Sequence, residues 1–173
     1  MASLALIYPQ LSAEDVAEIQ RIRKVHDTRY FDVVEPHITL VFSTDKISTD
    51  ELVTHVQNIL HDTKAFDLVF DRAKLVENDD GEFFHAFLVP STGYDEINII
   101  HDALYTGVLA SELRHDIPFI PHMGIGTGTK ADMEELVEKL NSEGISIKCR
   151  AHEISVVQYD GIKVSDYATV ALL

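Results

Sequence analysis

The chain has 173 residues, of which 46% are hydrophobic and 25% charged, a balance that supports one packed body and argues against a disordered or fibrous chain. Its 14 basic and 29 acidic residues leave a formal charge of -15, which opposes binding to long double-stranded nucleic acid and restricts any anionic ligand to a local cationic pocket. The single cysteine, Cys149, permits no internal disulfide or cysteine-rich zinc site and reads as a small buried apolar residue; no stretch approaches a membrane span, so no membrane partner and a cytoplasmic location are expected.

Leu4 to Tyr8 reads as a strand closed by Pro9, too short for a secretory signal and without a basic segment before it. Ser12-Ala13-Glu14-Asp15 opens a helix with a capping-box pattern that runs to about Lys24. Glu35-Pro36-His37-Ile38-Thr39-Leu40-Val41-Phe42 follows as a strand, with His37, Thr39 and Val41 on the outward face and Ile38, Leu40 and Phe42 on the inward one. Ser48-Thr49-Asp50-Glu51 is a second capping box, before a helix whose buried stripe is Leu52, Val56, Ile59 and Leu60. Phe66, Leu68 and Phe70 alternate as a strand extended to about Val76, and the turn Asn78-Asp79-Asp80-Gly81 reverses the chain into a strand from Phe83 to Val89.

The pattern then begins again. Thr92-Gly93-Tyr94-Asp95 opens a helix with Ile97, Ile100, Leu104 and Val108 at helical spacing. Ile120-Pro121-His122-Met123-Gly124-Ile125-Gly126 repeats the Pro-His strand, with Met123 and Ile125 inward and His122, Gly124 and Gly126 outward. Thr129-Lys130-Ala131-Asp132 caps a fourth helix that buries Leu136, Val137 and Leu140, and Gly144 suits the left-handed backbone after its end. Ile145 to Cys149 alternates as a strand, while Ile154 to Tyr159 and Lys163 to Leu172, joined through Asp160-Gly161, form a closing hairpin. Each half is thus strand, helix, His-bearing strand, helix, strand, with an additional strand at the end. This predicts one domain, 1–173, of two pseudo-symmetric lobes, approximately residues 1–80 and 81–173, whose His strands meet at a cleft.

These residues resemble the two-histidine phosphoesterase superfamily, the 2′-5′ RNA ligase-like proteins, whose signature is two copies of His-x-Thr/Ser on strands of a duplicated fold. Pro36-His37-Ile38-Thr39-Leu40 matches the first motif; His122-Met123-Gly124 matches the second in part, with Gly124 where the family has a hydroxyl. The resemblance implies an α+β, LigT-like fold: a duplicated β-α-β-α-β two-lobed arrangement of mainly antiparallel sheets, helices outside and a central cleft. It also implies a cyclic phosphodiesterase or 2′-5′ RNA ligase-like hydrolase, with no metal and no other cofactor. In that reading His37 and His122 are the catalytic acid and base that open a 2′,3′-cyclic phosphate or cleave a 2′-5′ linkage at a nucleotide or RNA end, with His122 as base and His37 as acid by analogy. Thr39 and the Gly124 position are the substrate-binding sites. The chemistry suits imidazole, which titrates near neutrality and can take a proton from water or give one to a departing ribose oxygen. A module of the same fold that binds nucleotide or RNA ends with weak or no turnover is the alternative, motivated by Gly124.

Taken singly, His37 reads as a surface histidine and Thr39 as a strand former; their duplicated setting is what makes them candidates. His55, His61, His101, His115 and His152 show no metal-ligand spacing, and His85 alternates with Phe83 and Phe87 as a core-edge histidine. Arg21, Arg23 and Lys24 complement a helix end. Arg29 and Arg114 precede the His strands and have structural uses as well as attraction for phosphate, while Tyr159 and Phe31 are candidates for base stacking or core. Gly126-Thr127-Gly128 lacks the lysine of a P-loop and reads as a strand-to-helix turn.

Overall fold

The computed structural model describes residues 1–173. Its strands are β1 (Ala2–Ile7), β2 (Ile38–Thr44), β3 (Phe66–Glu77), β4 (Phe84–Thr92), β5 (Met123–Gly128), β6 (Ile147–Ala151), β7 (Glu153–Tyr159) and β8 (Val164–Ala171). Four α-helices intervene: α1 (Ala13–His26), α2 (Thr49–Leu60), α3 (Tyr94–Leu104) and α4 (Lys130–Ser142). The strands form two four-stranded sheets, ordered β2-β1-β7-β8 and β5-β4-β3-β6, and every pairing is antiparallel. This is the α+β, antiparallel fold that the family resemblance implies.

The sheets do not follow the sequence halves. The boundary at residue 80 falls in the turn between β3 and β4, within the second sheet, while the first sheet joins β1 and β2 to β7 and β8. Helices cross over as well: α2 and α3 cover the first sheet, and α1 and α4 cover the second. A core of 30 buried residues, including Ile7, Ile38, Leu68, Phe70, Leu88 and Ile125, lies on the helix-covered side of both sheets. Leu6, Phe83, Phe87, Val89 and Val157 are also buried but stand outside that core. They belong to the opposite, helix-free faces, by alternation with the core residues beside them.

Local sequence accounts for most helix ends. Ser48 and Glu51 form both bonds of a capping box, whereas Ser12 accepts from the Asp15 N–H without a return bond, the Asp side chain being one methylene shorter than Glu. Helix α3 starts from Gly93 at φ 85°, where an added Cβ would lie 2.8 Å from the Asp67 carbonyl oxygen. It ends at Leu104, so Val108 falls outside the expected stripe, exposed in a short 3₁₀ turn over Gly107–Glu112. The turn closing the β7–β8 hairpin is fixed by Asp160, whose carboxylate accepts from the N–H groups of Ile162 and Lys163.

Candidate active site

Both Pro-His segments lead into outer strands, β2 of one sheet and β5 of the other, and these two strands lie against each other. The register gives them the same irregularity. In β2, Thr39 pairs with Leu6 and Val41 with Ala5; in β5, Gly124 pairs with Phe87 and Gly126 with Ala86. One additional residue, Leu40 or Ile125, is accommodated in each, which is a β-bulge at the same place in both copies.

The bulges correct three expected facings. Val41 and Gly126, expected outward, turn inward, and Phe42, expected inward, is 50% exposed. Gly126 lies under α4, where a Cβ would come within 2.9 Å of Met133 Sδ and 3.0 Å of Leu136 Cδ2. Gly124 is different. Its backbone has no positive φ, and an added Cβ would meet nothing within 4 Å. Thr39 and Gly124 therefore occupy corresponding points on the helix-free faces, two residues beyond His37 and His122.

The two imidazoles are held alike. His37 Nδ1 lies 2.7 Å from the Glu35 carbonyl oxygen, and His122 Nδ1 bonds the Ile120 carbonyl oxygen, each acceptor being two residues upstream. A carbonyl only accepts, so Nδ1 carries the proton in both rings and Nε2 keeps its lone pair. Burial pushes the pKa of each down to about 4. The bond to Glu35 or Ile120 opposes that shift, while Arg23 adds to it at His37 and the charges of His37 and His85 add to it at His122.

The surroundings of the rings differ. His122 stacks on Phe87 with centroids 3.6 Å apart and planes 15° from parallel, whereas His37 meets the edge of Tyr8 at 6.3 Å. Tyr8 stands in a groove of about 650 Å³ beside His37 that also receives Glu35, Asp166 and Lys163. Burial, with Asp166 and Glu35 behind it, pushes the Tyr8 hydroxyl up to about 12. Phe87 and Tyr8 are the ring supports that motif spacing did not identify. The signal available was the alternation of Phe87 with His85, without the register that brings Phe87 to His122.

Other candidates have structural partners. Arg114 is bound by Asp116 at 2.7 and 2.9 Å, Arg29 lies 3.9 Å over the Phe83 ring, and the Tyr159 hydroxyl donates to Gly161 O. His85 bonds Asn78 Oδ1, His55 bonds Leu104 O, and His101 stacks on Phe119. Cys149 is partly buried against the core, and burial pushes its thiol up to about 12. Arg23 is more than a helix-end charge: it is 1% exposed, pairs with Asp27, and donates to the carbonyls of Tyr30 and Val34. Asp27 in turn accepts from Thr127 of β5. This buried network fixes the loop entering β2, and with it the approach to His37. No group of three or more His, Cys, Asp or Glu side chains is arranged to hold a metal ion, and no helix is long and apolar enough to cross a membrane.

No curated protein sequence matches the chain. Solved structures share its fold over almost the full length. E. coli LigT complexed with 3′-AMP aligns at 15% identity and TM-score 0.64, covering 99% of this chain and 97% of that one. A crystal structure of a phosphoesterase aligns at 16% identity and TM-score 0.61, covering 99% and 98%. Kluyveromyces marxianus Usb1 aligns at 11% identity and TM-score 0.56, also covering 99% and 98%. At these identities the likeness establishes the fold alone. The family profile of the 2′-5′ RNA ligase superfamily matches residues 9–163, and the chain belongs to that superfamily of two-histidine phosphoesterases.

Proposed function

We propose that this protein is a metal-independent phosphodiesterase that hydrolyses 2′,3′-cyclic phosphates, or 2′-5′ linkages, at nucleotide or RNA ends, with His37 and His122 as its acid–base pair. The observation that carries the reading is the duplicated tether: each imidazole is bound through Nδ1 to a carbonyl two residues upstream, leaving Nε2 as the proton-transfer atom. Crystals of E. coli LigT with 3′-AMP and of Kluyveromyces marxianus Usb1 with uridine monophosphate support a nucleotide as the ligand class.

In the hydrolytic direction, water oxygen attacks phosphorus while His122 Nε2 accepts its proton. The bond from phosphorus to one ribose oxygen breaks, and His37 Nε2 delivers a proton to that oxygen. Thr39, on the same face as His37, donates its hydroxyl to a phosphoryl oxygen as negative charge gathers there. Both imidazoles are neutral at pH 7 in the free protein, since each pKa is about 4. The acid acquires its proton with the substrate, because a phosphoryl anion beside Nε2 favours the imidazolium.

Gly124 favours a second reading, a nucleotide- or RNA-end-binding module with weak or no turnover, since the second motif lacks its hydroxyl. Incubation with a nucleoside 2′,3′-cyclic phosphate in excess EDTA separates the two. Conversion to a nucleoside monophosphate that depends on both His37 and His122 supports the enzyme; saturable binding without product supports the module and refutes the proposed activity.

A further inference from the structure

The register of the second sheet places a row of cations on the face that carries His122. Lys74 pairs with Phe87, the ring on which His122 stacks, and Arg72 pairs with Val89 on the same face. These two lie roughly 6.7 Å apart along β3, at the usual rise per strand residue. Lys148 of β6 pairs with Val69, and Arg150 with Asp67, extending the row across the sheet. Arg72, Lys74 and Lys148 are exposed. None is occupied by an ion pair: those of Lys and Arg are Arg21 with Glu18, Arg23 with Asp27, Arg114 with Asp79 and Asp116, and Arg150 with Asp67.

The acidic groups nearby are Asp67, paired with Arg150, Asp71, at a bulge in β3 where it accepts from Ser91, and Asp79 and Asp80 of the β3–β4 turn, which act on His85 together with Arg29. In a chain of net charge -15, three unpaired cations on one face form a local exception to the field. The neighbouring groove, which Tyr8 and Pro36 line next to His37, has the opposite sign, with Asp32, Glu35 and Asp166 against Lys163 alone. A ligand with several phosphates is repelled on the His37 side and attracted on the His122 side.

We propose that the substrate is a short single-stranded oligonucleotide rather than a mononucleotide, and that its further phosphates run from His122 over Lys74, Arg72 and Lys148. This rests on the phosphodiesterase reading for its reacting end, while the binding track stands on the sheet register. Each contact neutralises a phosphate and releases a counterion, so the preference must weaken with salt.

The test compares kcat/KM for a nucleoside 2′,3′-cyclic phosphate and for a pentanucleotide ending in the same group, across a salt series. The proteins are wild type, Arg72→Gln/Lys74→Gln/Lys148→Gln, and a charge-matched control, Lys24→Gln/Lys64→Gln/Lys130→Gln. The expected result is a wild-type preference for the pentanucleotide of about tenfold or more at low salt, with a log–log salt slope near -2, three contacts at about -0.7 each. The first triple variant loses most of that preference and slope, and the control retains both. Equal preference in all three proteins, or equal loss in both variants, overturns the track. If neither substrate is turned over, the activity reading fails separately. Fluorescence anisotropy with a labelled pentanucleotide 3′-phosphate then decides: binding about tenfold weaker in the first variant alone supports the track, and unchanged binding overturns it.

Discussion

The depressed histidine pKa values lead to a prediction about the moment at which the acid becomes an acid. In the free protein both His37 and His122 titrate near 4, below the ordinary 6.5, because burial disfavours the imidazolium. A phosphoryl anion about 4 Å from Nε2 attracts that cation by roughly 4 kcal/mol at an effective dielectric of about 20, equivalent to about 3 pKa units. One ring of the pair therefore rises to about 7 on binding. The other stays low, since a charge on His37 already disfavours protonation of His122. Ring Cε1–H resonances, assigned with His37→Gln and His122→Gln, followed by NMR from pH 3 to 9 with and without saturating nucleoside 3′-phosphate, measure both states. The same shift separates the kinetic profiles: kcat/KM, set by the free protein, declines with rising pH before kcat, set by the complex. Free-state midpoints near 6.5, or a ligand-bound pair that both remain near 4, would refute the reasoning.

Replacing His37 or His122 by Ala is expected to lower turnover of a cyclic phosphate by roughly 10²- to 10⁴-fold, with Tm remaining close to wild type. Gly124→Thr is expected to fold normally and to raise kcat/KM by about tenfold, less than the roughly 10²- to 10³-fold of a strong oxyanion donor, because its Cβ has open space and its backbone suits an L side chain. A well-folded Gly124→Thr with lower kcat/KM would identify the glycine as space for substrate. Arg23→Met is expected to cost about 3–5 kcal/mol in denaturant unfolding, since it leaves Asp27 and the carbonyls of Tyr30 and Val34 without their buried partner; a loss under about 1 kcal/mol would show that the network contributes little.

Features of the chain with a short range were legible in its sequence. Ser48 and Glu51 lie three residues apart and announce a helix start, and the period-two alternation around His37 and His122 separates core from open face up to Thr39 and Gly124. Sheet membership was not legible, because it depends on partners far apart in sequence: β1 pairs with β7, and β3 with β6. Equal halves were the natural expectation from the repeated element order, yet the last two strands return to the first sheet. Arg23 has the same cause. Its side chain looks like one of several cations at a helix end until the loop carrying Tyr30 and Val34 folds back over it.

The bulges show why strict alternation holds up to Thr39 and Gly124 and fails beyond them. Had β2 and β5 remained regular, Val41 and Gly126 would have followed Thr39 and Gly124 on the open faces. The additional residue turns both inward, so each open face presents the histidine and the position two beyond it before the chain is drawn into the core. On β5 the next residue on that face is Thr127, paired with His85, but its hydroxyl is committed to Asp27 at 3.3 Å. Thr127 is thus bound into the Arg23 network and cannot replace the hydroxyl missing at Gly124 without leaving Asp27 short of a partner. The asymmetry between the two motifs is therefore fixed by packing as well as by sequence: β2 offers a histidine and a hydroxyl, β5 a histidine and open space.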